Sequence, residues 1–481
     1  MAHHAEILLG LEAGATRLVA AAYTADGHEI ARAALANPVE RSEGGAAEQS
    51  PGETWQRAAA VLRQLGRQVP GLARRALALA LTGPAGGSWL CDEDGDAVGA
   101  AILPLDRRAE ALVAGWRSAG LADAVADTTG CPPDASSQNA QLAWLARHRP
   151  AVLDQAASVF CGKDWLYFCM SGERASEATA ALSAFGSLAT GACDLGLLER
   201  LGLQDVARLL PAIVDGTRHQ GALAPAAAAA TGLMAGTPVV LGPVDGVARG
   251  VAAGLGAARG GLGASDAGPG GLHVRTMRQP PRRLWREPGV AVRRFAGLWF
   301  GLAAQPATLG PDWLIGLAEQ LLADAGLIGV ARGELGALLA RRAAAISGGS
   351  VRCERDAAGA GWRLSGLAGT TTFYDLLRAT HEAAGREARA CYAALDHRPR
   401  EVRVLGEHAA GAGALTMLDA GLGAGLGAGL GARVRPLLRA APATTGAALT
   451  AALSLGVYQD LAAADADWVA PHLGPTLAPA A

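Results

Sequence analysis

Residues 5–27, AEILLGLEAGATRLVAAAYTADG, carry the reading on which the fold turns. An apolar run from Ala5 to Leu11 reads as a buried strand, and Glu12-Ala13-Gly14-Ala15-Thr16 breaks it with a glycine turn. Leu18 to Tyr23 resumes an apolar strand, and Asp26-Gly27 is a strong two-residue hairpin signal before His28 to Ala34. Outward from this hairpin, Ser50 and Pro51 predict a helix start, with Glu53 completing a capping box. Trp55, Ala59, Leu62 and Leu65 then fall on one helical face. Ala76 to Leu81 is a further buried strand, and Ser88 to Cys91, Asp94-Gly95 and Ala97 to Leu103 predict a second hairpin. Repeated hairpins with intervening helices point to mixed α/β layers rather than a purely parallel sheet.

Farther along, Thr237 to Leu241 is a strand running into Gly-Pro-Val-Asp-Gly at 242–246, followed by helix-compatible Val247 to Leu255. Gly268-Pro269-Gly270-Gly271 before the strand Leu272 to Val274 echoes the opening of the chain. This places a domain boundary near Gly254 to Gly263. Thr372 and Asp375 cap a helix running through Glu382 toward Leu395, and Glu401 to Leu405 is a strand. The Gly-Leu-Gly-Ala repeat at 421–432 is too glycine-rich for a stable isolated helix.

Length and composition bound the function. At 481 residues, two or three domains are expected. The apolar fraction of 51% supplies a large core, and 42 basic against 44 acidic residues leave no chain-wide footprint for nucleic acid. Lys163 is the only lysine. It is followed by Asp164, which excludes a P-loop, and it lies on no Val-Ala-Ile-Lys strand, which excludes a protein kinase. Seven scattered cysteines without Cys-x-x-Cys spacing read as buried thiols in a reducing cytoplasm. The N-terminus lacks the pattern of a signal peptide, and His3-His4 reads as a frayed end rather than a metal site. The uncharged run Gly221 to Gly242 is broken by Pro225 and Pro238, so no membrane span is expected.

Read in order, these blocks resemble the FGGY family of carbohydrate kinases, within the actin/hexokinase/Hsp70 superfamily. Leu9 to Thr16 resembles the family's Asp-x-Gly-Thr hairpin, and Glu48-Gln49-Ser50-Pro51 its Glu-Gln-Asp-Pro segment. Lys163-Asp164-Trp165-Leu166 with Ser171-Gly172-Glu173, Gly236 to Val239 with Asp245, and Thr445-Gly446-Ala447-Ala448 continue the series. The resemblance implies an α/β fold of two actin-like, ribonuclease H-like domains facing a central cleft. Residues 1–255 would form the sugar-binding domain with the catalytic aspartate, and residues 256–481 the nucleotide-binding domain. It further implies ATP with Mg²⁺ as cofactors, a small sugar or polyol as substrate, and leaves a homodimer open.

Site residues follow from the same ordered blocks. Asp245 holds the general-base position; as a residue type in a strand-to-helix turn it also reads as a helix cap. Glu12 stands where the family has an aspartate assisting Mg²⁺, one methylene longer. Gly14, Ala15 and Thr16, then Gly268, Pro269 and Gly270, then Gly406 and Glu407, occupy phosphate- and nucleotide-side positions. Ala15 lacks a hydroxyl, Pro269 lacks an amide donor, and Glu407 adds a negative charge. On the sugar side, Ala85 and Gly86 either leave room in the pocket or form a tight hairpin. Asp106 and Arg108 either bind substrate hydroxyls or form a surface salt bridge. Trp89, Trp116, Trp144 and Trp165 read as core anchors. The expected activity is phosphorylation of a ketopentose such as xylulose, or of a tetritol or pentitol. The alternative is a catalytically impaired, sugar-responsive binding protein, motivated by the departures at the phosphate positions.

Overall fold

The structure, a computed structural model, describes residues 6–257, 260–266, 271–279, 284–287, 289–305, 311–327, 335–336, 338–339, 342–343, 346, 349–356, 361–406 and 431–477. His3-His4, Gly268, Pro269, Gly270, Glu407 and most of the Gly-Leu-Gly-Ala repeat lie outside the described residues.

Alternating and continuous apolar runs become strands where glycine and proline bound them, and capped amphipathic runs become helices. In chain order the elements that position the site are β1 (Ile7–Ala13), β2 (Arg17–Thr24), β3 (Glu29–Ala36), α1 (Pro51–Gln68), β4 (Ala76–Gly83), α2 (Gly162–Ser171), β5 (Ala175–Glu177), α3 (Ala178–Phe185), β6 (Gly221–Ala222), β7 (Pro238–Val244), α4 (Asp245–Ala252), β8 (Leu262–Asp266), β9 (Leu272–Met277), α5 (Phe373–Ala394), β10 (Glu401–Leu405), β11 (Arg433–Pro436) and α6 (Pro442–Ser454). The opening hairpin forms as expected. Ser50 caps α1 by accepting from the Glu53 amide, with Pro51 at the first helical position. Thr372 and Asp375 form a reciprocal capping box on α5.

The chain divides into two compact units. One comprises Met1–Ala257, Met277–Phe300 and Ala441–Trp468; the other comprises Ala258–Thr276, Gly301–Ala440 and Val469–Ala481. The first unit holds a six-stranded sheet in the order β6-β7-β4-β1-β2-β3. Here β1 runs antiparallel to β2 and parallel to β4, and β4 is parallel to β7. In the second unit the order β9-β8-β10-β11 repeats that logic: β8 is antiparallel to β9 and parallel to β10, which is parallel to β11. The echo between the two halves of the sequence is therefore an echo of topology.

Two sequence expectations need adjustment. The strand after Gly236 runs on to Val244, so α4 begins at Asp245 itself, earlier than the expected Val247. The second hairpin closes only through isolated bridges, Ser88 to Ile102 and Cys91 to Ala97. Its arms pair elsewhere: Trp89–Cys91 with 158–160, and Ala101–Ile102 with Glu48–Gln49. Inserting 158–160 and 46–49 satisfies the same backbone groups with longer-range partners.

The first unit's core is built on Leu9, Leu11, Leu18, Leu62, Leu79, Leu81 and Leu241, all nearly or wholly inaccessible to solvent. Helix α6 lies against the same sheet. Tyr23 Oη is 2.7 Å from Thr444 Oγ1 and 3.1 Å from Thr445 Oγ1. A Cβ on Gly446 would stand 1.9 Å from the Ala248 carbonyl oxygen, so only glycine lets α6 cross α4 this closely.

Candidate active site

Parallel strands β1, β4 and β7 end at one edge of the first unit's sheet, the edge at which α/β folds of this kind place their ligands. Glu12 pairs with Thr82 across β1 and β4. The Thr82 hydroxyl in turn donates to the Pro243 carbonyl at 2.7 Å. Asp245 follows directly as the first residue of α4. Its Oδ1 accepts from the Gly246 amide at 2.7 Å, and its Oδ2 remains on the same side as Arg249. Asp245 is therefore the first helical residue rather than the cap, which is Val244 and makes no side-chain cap bond, and only one of its carboxylate oxygens is taken by a backbone amide.

Arg249, one turn farther along α4, joins the two acids. Its Nη2 lies 3.3 Å from Glu12 Oε1 and 3.7 Å from Asp245 Oδ2. Burial pushes the Glu12 carboxyl above its ordinary range, Arg249 pulls it back, and the charge on Asp245 pushes it up again. Sequence reasoning missed Arg249. The available signal was its spacing of four from Asp245, which places both on one helical face.

Behind Asp245 lies a buried polar chain. Lys163 is inaccessible, with Nζ 2.7 Å from Asp164 Oδ1 and 3.9 Å from Glu177 Oε2. Burial acts to lower the lysine's pKa, but Asp164 and then Cys161 and Glu177 outweigh it, so the ammonium is held charged. Asp164 Oδ2 also accepts from the Ser176 hydroxyl at 2.6 Å. Burial pushes the Glu177 carboxyl up to about 7 against the pull of Lys163. Glu177 accepts from the Thr179 amide at 2.9 Å and from the Thr179 hydroxyl, and Thr179 Oγ1 takes the Val244 amide at 2.9 Å. The backbone immediately before Asp245 is thereby tied to the only lysine through named side chains.

The turn holding Gly14, Ala15 and Thr16 is pinned from below. Gln49 Nε2 donates to the Ala15 carbonyl at 2.6 Å, the Asn37 side chain to the Gly14 carbonyl, and the Asn37 amide to the Thr16 carbonyl. The Glu48-Gln49-Ser50-Pro51 segment thus has a physical role, in which Gln49 fixes the turn and Ser50 starts α1. Gly14, Ala15, Gly86, Trp89 and Pro104 line one small cavity of about 20 Å³. The 14–16 turn and the loop at Gly86 therefore meet within one unit.

A Cβ on Gly86 would lie 2.3 Å from the Ser136 carbonyl oxygen, so glycine permits this close backbone approach. Asp106 is buried, and its oxygens accept from the Ala47 amide and from Nε and Nη2 of Arg108, whose Nη2 also meets Glu48 Oε1 at 2.7 Å. These contacts fasten the loop to the strand at 46–49. Trp89, Trp116 and Trp165 are buried, whereas Trp144 carries Arg108 over its ring at 4.6 Å.

Gly406 closes β10 with a left-handed φ of 110° in the second unit. Glu12 and Asp245 present oxygen donors of the kind Mg²⁺ takes, since this hard ion commonly uses one or two carboxylates and keeps several waters. Among the described residues no cluster of three His, Cys, Asp or Glu side chains forms a closed metal cage. No helix among them is long and apolar enough to cross a membrane.

Comparison with known proteins agrees with this architecture. Over its full length the chain is 33% identical to erythritol kinase of Brucella abortus, covering 93% of that protein. It is 29% identical to a probable L-xylulose kinase of Pasteurella multocida over 51% of each chain. Xylulose kinase from Rhodospirillum rubrum superposes with a TM-score of 0.82 at 24% identity, over 99% of this chain and 94% of that one. A Plasmodium falciparum glycerol kinase solved with ADP reaches a TM-score of 0.78 at 13% identity, covering 98% and 94%. These likenesses establish the two-domain actin-like fold. Residues 7–252 match the N-terminal domain of the FGGY family of carbohydrate kinases. With that match and the full-length relative, the chain is a carbohydrate kinase of the FGGY family, acting on a sugar or polyol.

Proposed function

We propose that this kinase transfers the terminal phosphoryl group of ATP to a hydroxyl of a tetritol, a pentitol or a ketopentose. The observation that carries the reading is Asp245 at the start of α4, joined through Arg249 to Glu12 near the end of β1. The full-length relative named erythritol kinase favours a four-carbon polyol, and the half-length relatives named L-xylulose kinases favour a ketopentose.

Asp245 accepts the proton of the attacking hydroxyl, for which a carboxylate within hydrogen-bond reach is sufficient. Its Oδ1 bond to the Gly246 amide orients the group and leaves Oδ2 for the substrate. Glu12 would help hold Mg²⁺, which supplies neutralisation of the phosphate oxygens when bound. In the first unit, backbone amides of the 14–16 turn would receive phosphate oxygens; Gly268, Gly270 and Gly406 are the proposed nucleotide-side positions of the second unit. Residues 1–255 would carry the sugar side and 256–481 the nucleotide side. The cytoplasm is the proposed compartment and a homodimer the proposed assembly.

The test is calorimetric titration of Mg·ATP followed by ATP consumption across ketopentoses and polyols. Turnover that falls by about 10²- to 10⁴-fold in Asp245→Asn supports the reading. Polyol binding without nucleotide binding overturns it in favour of a sugar-responsive binding protein, the role that the missing hydroxyl at Ala15 motivates.

A further inference from the structure

We infer that Arg249 is a further catalytic residue, whose guanidinium contacts the phosphoryl group in flight; this rests on the ATP-dependent reading above. Position is the first reason. In an in-line displacement the acceptor hydroxyl sits against its proton acceptor, and the phosphorus lies about 3 Å beyond that oxygen. The metal-side carboxylate serves the oxygens of the same phosphoryl group. The reacting phosphorus must therefore pass between Asp245 and Glu12. The cation within reach of both acids is the Arg249 guanidinium, its Nη2 3.7 Å from Asp245 Oδ2 and 3.3 Å from Glu12 Oε1, so it borders the path of the phosphoryl group.

Charge points the same way. Two carboxylates bordering a phosphoryl group repel it, and Ala15 supplies no hydroxyl on the turn beside them. A guanidinium offers five donors in a planar fork that matches phosphate oxygens. Arg249 and Asp245 share α4, so proton acceptor and cation keep a common frame. The Arg249 side chain is 24% exposed, accessible enough to exchange a carboxylate partner for a ligand. In the step itself, the acceptor hydroxyl oxygen forms a bond to the γ-phosphorus. The bond from that phosphorus to the β–γ bridging oxygen breaks, ADP leaves with the electron pair, and the hydroxyl proton passes to Asp245. Arg249 stabilises the equatorial oxygens throughout and is itself unchanged.

The experiment compares wild type with Arg249→Gln and Arg249→Lys in turnover and in calorimetric binding of ADP with Mg²⁺, with and without aluminium fluoride. A transition-state contact predicts that kcat falls about 10²- to 10³-fold in Arg249→Gln while KM for the polyol moves little. It also predicts that fluoride tightens ADP binding in wild type and not in Arg249→Gln, with Arg249→Lys intermediate in both readouts. Unchanged binding of ADP alone shows that the variant is folded. The inference is overturned if Arg249→Gln retains both turnover and the fluoride effect, or if Arg249→Lys loses the effect as completely as Arg249→Gln. A wild-type protein that binds no ADP and consumes no ATP instead defeats the ATP reading, and the inference with it.

Discussion

Lys163 and Asp164, adjacent in sequence, form an ion pair of 2.7 Å with both side chains wholly inaccessible to solvent. Neighbours along a helix do not ordinarily face each other. Here Glu177 lies 3.9 Å from the ammonium, and Ser176 and Cys161 donate to the second oxygen of Asp164.

Lys163→Met should therefore be severe. It leaves Asp164 and Glu177 as buried acids without a counter-charge, a change that costs on the order of 3–5 kcal/mol. Urea denaturation at pH 7 measures it, and a loss below about 1 kcal/mol would show that the acids simply take up protons at no cost to the fold.

Thr179→Val tests the link from that pair to the reaction centre. The Val244 amide loses its acceptor and Glu177 loses a hydroxyl donor, at about 1–3 kcal/mol. Because Val244 precedes Asp245, kcat should fall more than KM rises. Steady-state kinetics with the preferred polyol separates this outcome from a loss of stability alone.

Gly446→Ala should disturb the crossing of α6 over α4. The obstacle is backbone, the Ala248 carbonyl, so the helices must part, at about 1–3 kcal/mol or more. Thermal melting registers the cost. An alanine accepted without change in the melting temperature would mean that α6 shifts freely on the sheet.

Acid should weaken the second unit through its histidines. Burial depresses both His273 and His381 to about 4, while in the unfolded chain they titrate near 6.5. The neutral form is the folded one: His273 Nε2 faces the acceptor Gln305 Oε1 at 3.0 Å and its Nδ1 faces the Ser265 hydroxyl at 2.9 Å. Below about pH 6.5 the unfolded chain binds more protons, so stability falls as pH drops from about 6.5 to 4. Each histidine contributes on the order of 3 kcal/mol across that window. Denaturation curves taken between pH 7 and 4 should flatten in His381→Phe relative to wild type; a parallel decline in both proteins would assign the effect to carboxylates instead.

Local order in this chain determines much of what the protein is. The hairpin at 7–24, the Ser50-Pro51 start of α1, the Thr372–Asp375 capping box and the strand Glu401–Leu405 depend on neighbours a few residues away, and each is legible in the sequence. The ordered series of such blocks also carries the family, and the glycine-flanked turn carries Asp245. Tertiary structure alone decides which side chains complete the site. The contact of Arg249 with Glu12 joins residues more than two hundred positions apart, and Lys163 reaches Val244 only through β5 and α3. Residues 441–468 join the first unit because α6 covers the sheet face of β1. Asp106 is occupied by Ala47 and Arg108 because a buried carboxylate must find donors wherever the fold supplies them. Burial converts residue types into roles, and burial is a property of contacts between segments that have no adjacency in the chain.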